Sequence, residues 1–184
     1  MHYRSEIDGL RALAIIPVVL FHAGVEFCSG GFLGVDIFFV ISGYLITGII
    51  VKETQENKFS VINFLTRRAR RILPPLYFMM FFVSIFYLLI ARPSVEECTL
   101  FRESLLSSVS FLSNFYFALN TGYFAASSEV LAGGHTWSLS VEEQFYLIYP
   151  PLLLIFLRLG KKFPIIFLFL IFFLSLALAQ LGSG

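Results

Sequence analysis

The chain has 184 residues, of which 58% are hydrophobic and 14% charged, with a formal net charge of +1. Soluble domains average about 45–50% apolar and about 25% charged residues. A mean hydropathy of +0.84, with 23 Phe and 8 Tyr, therefore excludes a soluble globular domain and points to an all-α integral membrane protein. No basic excess suggests nucleic-acid binding. The two cysteines, Cys28 and Cys98, are too few for a metal knuckle, so no metal is expected.

In chain order, the first apolar run covers residues 12–25 and contains Pro17 and His22. Glu6 and Asp8 precede it and no small-residue cleavage pattern closes it, so the N-terminus is expected to be retained. The run 37–51 follows Asp36, and the run 144–157 follows Glu142 and Glu143. Between and beyond these lie 72–91 and 163–181, uncharged stretches of 20 and 19 residues, each able to cross a hydrocarbon core of about 30 Å. All five read as spans, the polar-interrupted ones being shielded by neighbours or by a water-filled cavity.

Eleven of the thirteen Lys and Arg residues then fall on one side, among them Arg4, Arg11, Lys52, Lys58, Arg67, Arg68, Arg70, Arg71 and Arg158. Because basic residues are retained inside, the N-terminus is predicted to be cytoplasmic. This parity requires residues 104–119, which are rich in serine, to stay out of the core as one interfacial or re-entrant helix. The fold expected is about five transmembrane helices plus that one, with 122–134 as an exterior loop. Cys28 and Cys98 both fall outside, where a disulfide is able to form in an oxidising compartment.

Three constellations can carry chemistry. Arg11 and His22 are eleven residues apart, three helical turns plus about 20°, so one face of the first helix offers a basic anchor at the cytoplasmic surface and an imidazole about 16.5 Å away. An imidazole takes a proton near neutral pH, although a histidine also serves as interhelical packing glue. Arg68 and Arg71 form a fork suited to phosphate if the segment is helical; topology alone or anionic lipid headgroups would also account for it. Ser138, Glu142, Tyr146 and Tyr149 make a polar stripe behind the interfacial Trp137. Glu142 can orient a histidine, hold a sugar hydroxyl or end the span. Asp36, Ser42 and Tyr44 form a similar insertion, in which Asp36 can cap the helix start.

Four strings in order are more particular than composition requires: Arg4-Ser5-Glu6-Ile7-Asp8-Gly9-Leu10-Arg11 leading to Phe21-His22; Gly30-Gly31-Phe32-Leu33-Gly34-Val35-Asp36 through Ile41-Ser42-Gly43-Tyr44; Arg67-Arg68-Ala69-Arg70-Arg71-Ile72-Leu73-Pro74; and His135-Thr136-Trp137-Ser138-Leu139-Ser140-Val141-Glu142-Glu143-Gln144-Phe145-Tyr146. Together they resemble the acyltransferase 3 family of membrane O-acyltransferases. The likeness is greatest to the bacterial branch that acetylates lipopolysaccharide O-antigen and related cell-envelope glycans.

The resemblance implies transfer of an acyl group, usually acetyl from cytosolic acetyl-CoA, to a sugar hydroxyl across the bacterial inner (plasma) membrane. It implies His22 as catalytic base or acyl acceptor with Glu142 as its catalytic carboxylate. Arg11, Arg68 and Arg71 would hold the anionic parts of coenzyme A, with Asp36, Trp137 and Ser138 also binding substrate. The expected partners are acyl-CoA, a glycan acceptor and the lipid bilayer. Members usually have more spans than these five, so residues 1–184 would be the N-terminal part of a larger transmembrane domain, without a hydrolase-like SGNH domain. The alternatives are an inactive truncated remnant and a membrane-embedded binding or transport protein.

Overall fold

A computed structural model describes residues 5–91, 93–120, 133–160 and 162–182. The described residues are helical, in seven α-helices: α1 (Ser5–His22), α2 (Gly34–Gln55), α3 (Val61–Phe86), α4 (Val95–Val109), α5 (Ser113–Asn120), α6 (Trp137–Leu159) and α7 (Phe163–Gly182). Among the described residues, three helical stretches, Gly31–Gln55, Val61–Ile90 and Phe163–Gln180, are long and apolar enough to cross a membrane. The chain divides into two compact units, residues 1–144 and 145–184, with the boundary inside α6.

In the first unit, α1 ends sooner than the apolar run 12–25 suggests. Gly24 adopts φ 74°, a left-handed stop that a Cβ would oppose, and a short turn Gly31–Leu33 leads into α2. Here α1 and α2 approach backbone to backbone. A Cβ on Gly34 would fall on the carbonyl oxygen of Ala14 and 2.8 Å from Val18 Cγ2, and one on Gly31 would fall on the Pro17 carbonyl oxygen and 2.8 Å from Phe21 Cβ. Lipid tails provide no hydrophobic drive between helices, so small residues that permit such approach are what hold an apolar pair together. Because rising numbers in α2 meet falling numbers in α1, the pair is antiparallel.

Ser60 caps α3, its Oγ accepting from the Asn63 N–H at 3.4 Å. The helix therefore starts eleven residues before the run 72–91 and carries Arg67–Arg71 on its first turns. It continues through Pro74 and Pro75. Ser94 and Glu97 form a reciprocal capping box that starts α4, satisfying two otherwise orphan amides.

Two expectations are corrected here. Residues 104–119 do not form one helix: α4 stops at Val109, and Phe111 takes φ 57° before α5 begins. The serines that suggest an interface are in part internal: Ser104, Ser108 and Ser113 are at most 1% exposed, with Ser108 and Ser113 hydrogen-bonded to the segment entering α6 and the Ser104 carbonyl accepting from Ser107 and Ser108. Cys28 and Cys98 are free thiols, on the short turn after α1 and the first turn of α4, not a disulfide. The exterior loop expected at 122–134 lies outside the described residues apart from Gly133 and Gly134.

The second unit comprises the remainder of α6 and α7. Tyr146 and Leu153 are buried, whereas the side chains of α7 from Ile165 to Leu178 are mostly more than half exposed. Aliphatic and phenyl groups displayed around a whole helix suit a lipid environment.

Gly34→Ala tests the close helix crossing, since its Cβ meets backbone that cannot swing aside. The expected cost is about 1–3 kcal/mol, read as a lower unfolding midpoint in detergent. Gly43→Ala, where a Cβ meets nothing within 4 Å, is expected to leave the midpoint unchanged or raised.

Candidate functional site

Three polar stations occur along α2, all built within the first unit. The first is a half-open cleft of about 410 Å³ where α2 ends and α3 begins, lined by Ile49, Lys52, Glu53, Glu56, Arg67, Arg68 and Arg71. Four cations face two carboxylates there. Arg67 Nη2 donates to both carboxylate oxygens of Glu53 at 2.9 and 3.0 Å, and this charge-assisted pair ties α3 to α2. Lys52 stands 4.0 Å from Glu56. Arg68 lies 5.5 Å over the Phe64 ring, and Arg71 is exposed. The helical placement that the Arg68–Arg71 fork required is present. A cleft of this size with surplus positive charge fits the phosphates of a nucleotide-like ligand.

At the middle station, the Ser42 hydroxyl donates to Glu142 Oε1 at 2.9 Å. Ser42 is 2% exposed, on the stripe Ser42, Ile46, Ile50 that α2 buries. One turn earlier Phe39 meets Trp137 edge-on, with ring centroids 6.3 Å apart. Phe39 and Ser42 thus match Trp137 and Glu142 in the same order, so α2 and the first turns of α6 run parallel. Both polar insertions noticed in the sequence are two sides of one contact.

The third station is made by α1. His22 Nδ1 lies 2.8 Å from the Val18 carbonyl oxygen. A carbonyl can only accept, so Nδ1 carries hydrogen and Nε2 is the nitrogen left to take a proton in neutral imidazole. The ring is exposed and packs edge-on to Phe21 at 5.3 Å. His135, in the turn Gly134–Thr136, was quoted in the motif but given no role. The atoms crowded around it, then the charge of His22, hold its pKa below the ordinary imidazole value. The motif string contained His135, but only the fold brings it under the influence of His22.

Arg11 departs from expectation. Its guanidinium lies 5.7 Å from the Phe38 ring, and Nε is buried without a hydrogen-bond partner among the described residues. Phe38 is fourteen residues from Lys52, about 21 Å along the helix. Arg11 therefore does not line the basic cleft; the crossing at Gly31 and Gly34 sets it one turn from Ala14, beside the N-terminal half of α2. His22 is level with Gly31, twenty-one residues from Lys52, or about 30 Å.

Of the other residues named from sequence, Asp36 sits exposed in the first turn of α2, where a carboxylate favours the helix N-terminus. The Ser138 hydroxyl donates to the His135 carbonyl at 3.3 Å, which makes it part of the entry turn of α6. The structure joins Glu142 to Ser42, Trp137 to Phe39 and Arg68 to the cleft with Arg71. It does not bring Arg11 to that cleft.

The profile of the acyltransferase 3 family, described as an acyltransferase domain, matches residues 4–181. Among curated proteins, the chain is 40% identical to the peptidoglycan O-acetyltransferase OatA of Listeria monocytogenes over 162 residues, 87% of this chain and 26% of that protein. It is 38% identical to the O-acetyltransferase OatA of Staphylococcus aureus over 180 residues, 96% of this chain and 29% of that protein. The chain thus spans between a quarter and a third of the length of these relatives. No solved structure matches it significantly. With its apolar helices and a family match over nearly its whole length, the chain is a membrane protein that belongs to the acyltransferase 3 family.

Proposed function

We propose that the protein is an O-acyltransferase that moves an acyl group, acetyl from acetyl-CoA, across the bacterial plasma membrane to a hydroxyl of a cell-envelope glycan. The observation that carries this reading is the separation of two chemistries along one helix. A phosphate-suited cleft lies at Lys52, and a histidine with a free Nε2 lies about 30 Å away at the other end of α2, close to the thickness of a hydrocarbon core. In this reading the chain crosses five times from a cytoplasmic N-terminus, the cleft faces the cytoplasm and His22 faces outward. The parallel direction of α2 and the first turns of α6, with α1 antiparallel to α2, supports that alternation.

Lys52, Arg68 and Arg71 would receive the anionic parts of the donor. His22 Nε2 would accept the proton of the attacking hydroxyl as that oxygen bonds to the acyl carbon, the carbon–sulfur bond breaks and coenzyme A leaves as thiolate. The same nitrogen suits an acyl-imidazole route in which it carries the group first. Ser42 holds Glu142 between the two ends, and Asp36, Trp137, Ser138 and Arg11 line the outer half of the path. The name of the Listeria monocytogenes relative favours peptidoglycan over lipopolysaccharide O-antigen as the acceptor. The chain would be the N-terminal part of a longer transmembrane domain.

The test is transfer of labelled acetyl from acetyl-CoA to glycan by the full-length protein in membrane vesicles. His22→Ala is expected to lose at least about a hundredfold in rate, the scale of general-base catalysis. Transfer at the unaltered rate by that variant would overturn the assignment, and donor binding with no transfer by the unaltered protein would favour a binding or transport role. Arg71→Ala is expected to raise the KM for acetyl-CoA about tenfold, one charge-assisted contact, with kcat unchanged.

A further inference from the structure

Thr136, Ser140 and Gln144 recur every fourth residue and so share one face of the polypeptide entering α6. All three are bonded to the α4–α5 corner. Thr136 Oγ1 lies 2.7 Å from Ser108 Oγ and 3.1 Å from Ser113 Oγ. The Ser140 and Ser113 hydroxyls are 2.7 Å apart, and both residues are 0% exposed. Gln144 satisfies its whole amide there: Nε2 donates to the Phe111 carbonyl at 2.8 Å and to Asn114 Oδ1 at 2.9 Å, while Oε1 accepts from Asn114 Nδ2 at 3.1 Å.

This face is turned about 200° from Glu142, which stands two residues from both Ser140 and Gln144. The start of α6 is therefore gripped from opposite sides, by α4 and α5 on one and by Ser42 and Phe39 of α2 on the other. Apolar contact leaves a helix free to turn about its axis when it is surrounded by hydrocarbon, whereas directional hydrogen bonds do not. Slipping the clamp by one residue would turn α6 by about 100° and carry Glu142 away from Ser42. The clamp also accounts for the left-handed backbone at Phe111, a costly conformation for a bulky residue, since it aims the Phe111 carbonyl at Gln144.

We propose that Gln144, with Asn114 and the Ser113–Ser140 and Ser108–Thr136 pairs, is a positioning clamp that fixes the rotation of α6 so that Glu142 meets Ser42 and is presented to the acyl-transfer path. The proposal rests on the acyl-transfer reading for its kinetic consequence, but its geometric consequence stands apart from that reading.

The experiment uses the full-length protein in membrane vesicles with Cys28 and Cys98 replaced by serine. Cysteines are placed at positions 42 and 142, and the yield with a short bis-maleimide is measured in the Gln144→Met background and in the exchanged background Asn114→Gln with Gln144→Asn. Kinetics are read separately, without the two cysteines. Expected are a several-fold loss of cross-linking in Gln144→Met and its recovery in the exchanged pair. The same substitution should lower kcat about tenfold, the scale of an interhelical polar contact, with the KM for acetyl-CoA unchanged. Should Gln144→Met fail to accumulate, Asn114→Ala replaces it with the same expectations. Unaltered cross-linking together with unaltered kcat would overturn the clamp. An unmodified protein that transfers no acetyl would instead refute the functional reading, and the cross-link would still judge the clamp.

Discussion

The approach of α1 to the start of α2 at Gly31 and Gly34 is the contact on which the other positions depend. Two missing Cβ atoms let the Ala14 and Pro17 carbonyls sit against α2, and this sets the axial register of the pair. The register in turn determines that Arg11 reaches Phe38 and that His22 ends level with Gly31. With larger residues at either glycine the helices would separate, and the relation of the imidazole to the rest of α2 would be lost before any chemistry was considered.

From that register the functional groups order themselves along α2: the basic cleft, the Ser42–Glu142 bond, the Arg11–Phe38 contact and His22 with His135. Each polar group buried among apolar helices costs free energy unless it is paired, and the pairs found here also fix geometry. The Arg67–Glu53 pair fastens α3 to the last turns of α2, and the hydrogen bond at Ser42 fastens α6 to its middle. The serine and amide contacts of α4 and α5 hold α6 from behind. Polar residues thus supply much of the specificity that apolar packing cannot supply in lipid.

The sequence made some of this legible and hid the rest for identifiable reasons. The long apolar helices around 72–91 and 163–181 were readable because an uncharged run of that length has few other uses. The helical fork of Arg68 and Arg71 was readable from spacing, and Ser42 and Glu142 were visible as polar insertions, though not as partners. Helical period gives the face a residue occupies but not its height against a neighbouring helix, so the contact of Arg11 with Phe38 could not be read from its spacing to His22. The spacing of Gly31 and Gly34 was the available signal of a close crossing. The break at Phe111 was hidden because its cause, Gln144, lies thirty-three residues away in the chain. Serines in 104–119 looked like exposure when they were internal partners, since composition cannot distinguish water from another hydroxyl as the partner of a hydroxyl.

The central claim is that the Lys52 cleft and the His22 end of α2 open on opposite faces of the membrane. Single cysteines at Phe32, whose ring meets that of Phe21, and at Lys52 test it in right-side-out vesicles of a protein whose native cysteines are replaced by serine. The reagent is a membrane-impermeant maleimide applied before and after permeabilisation. The account expects labelling at position 32 from outside and labelling at position 52 only after the membrane is opened. Labelling of both positions from the same side would contradict it.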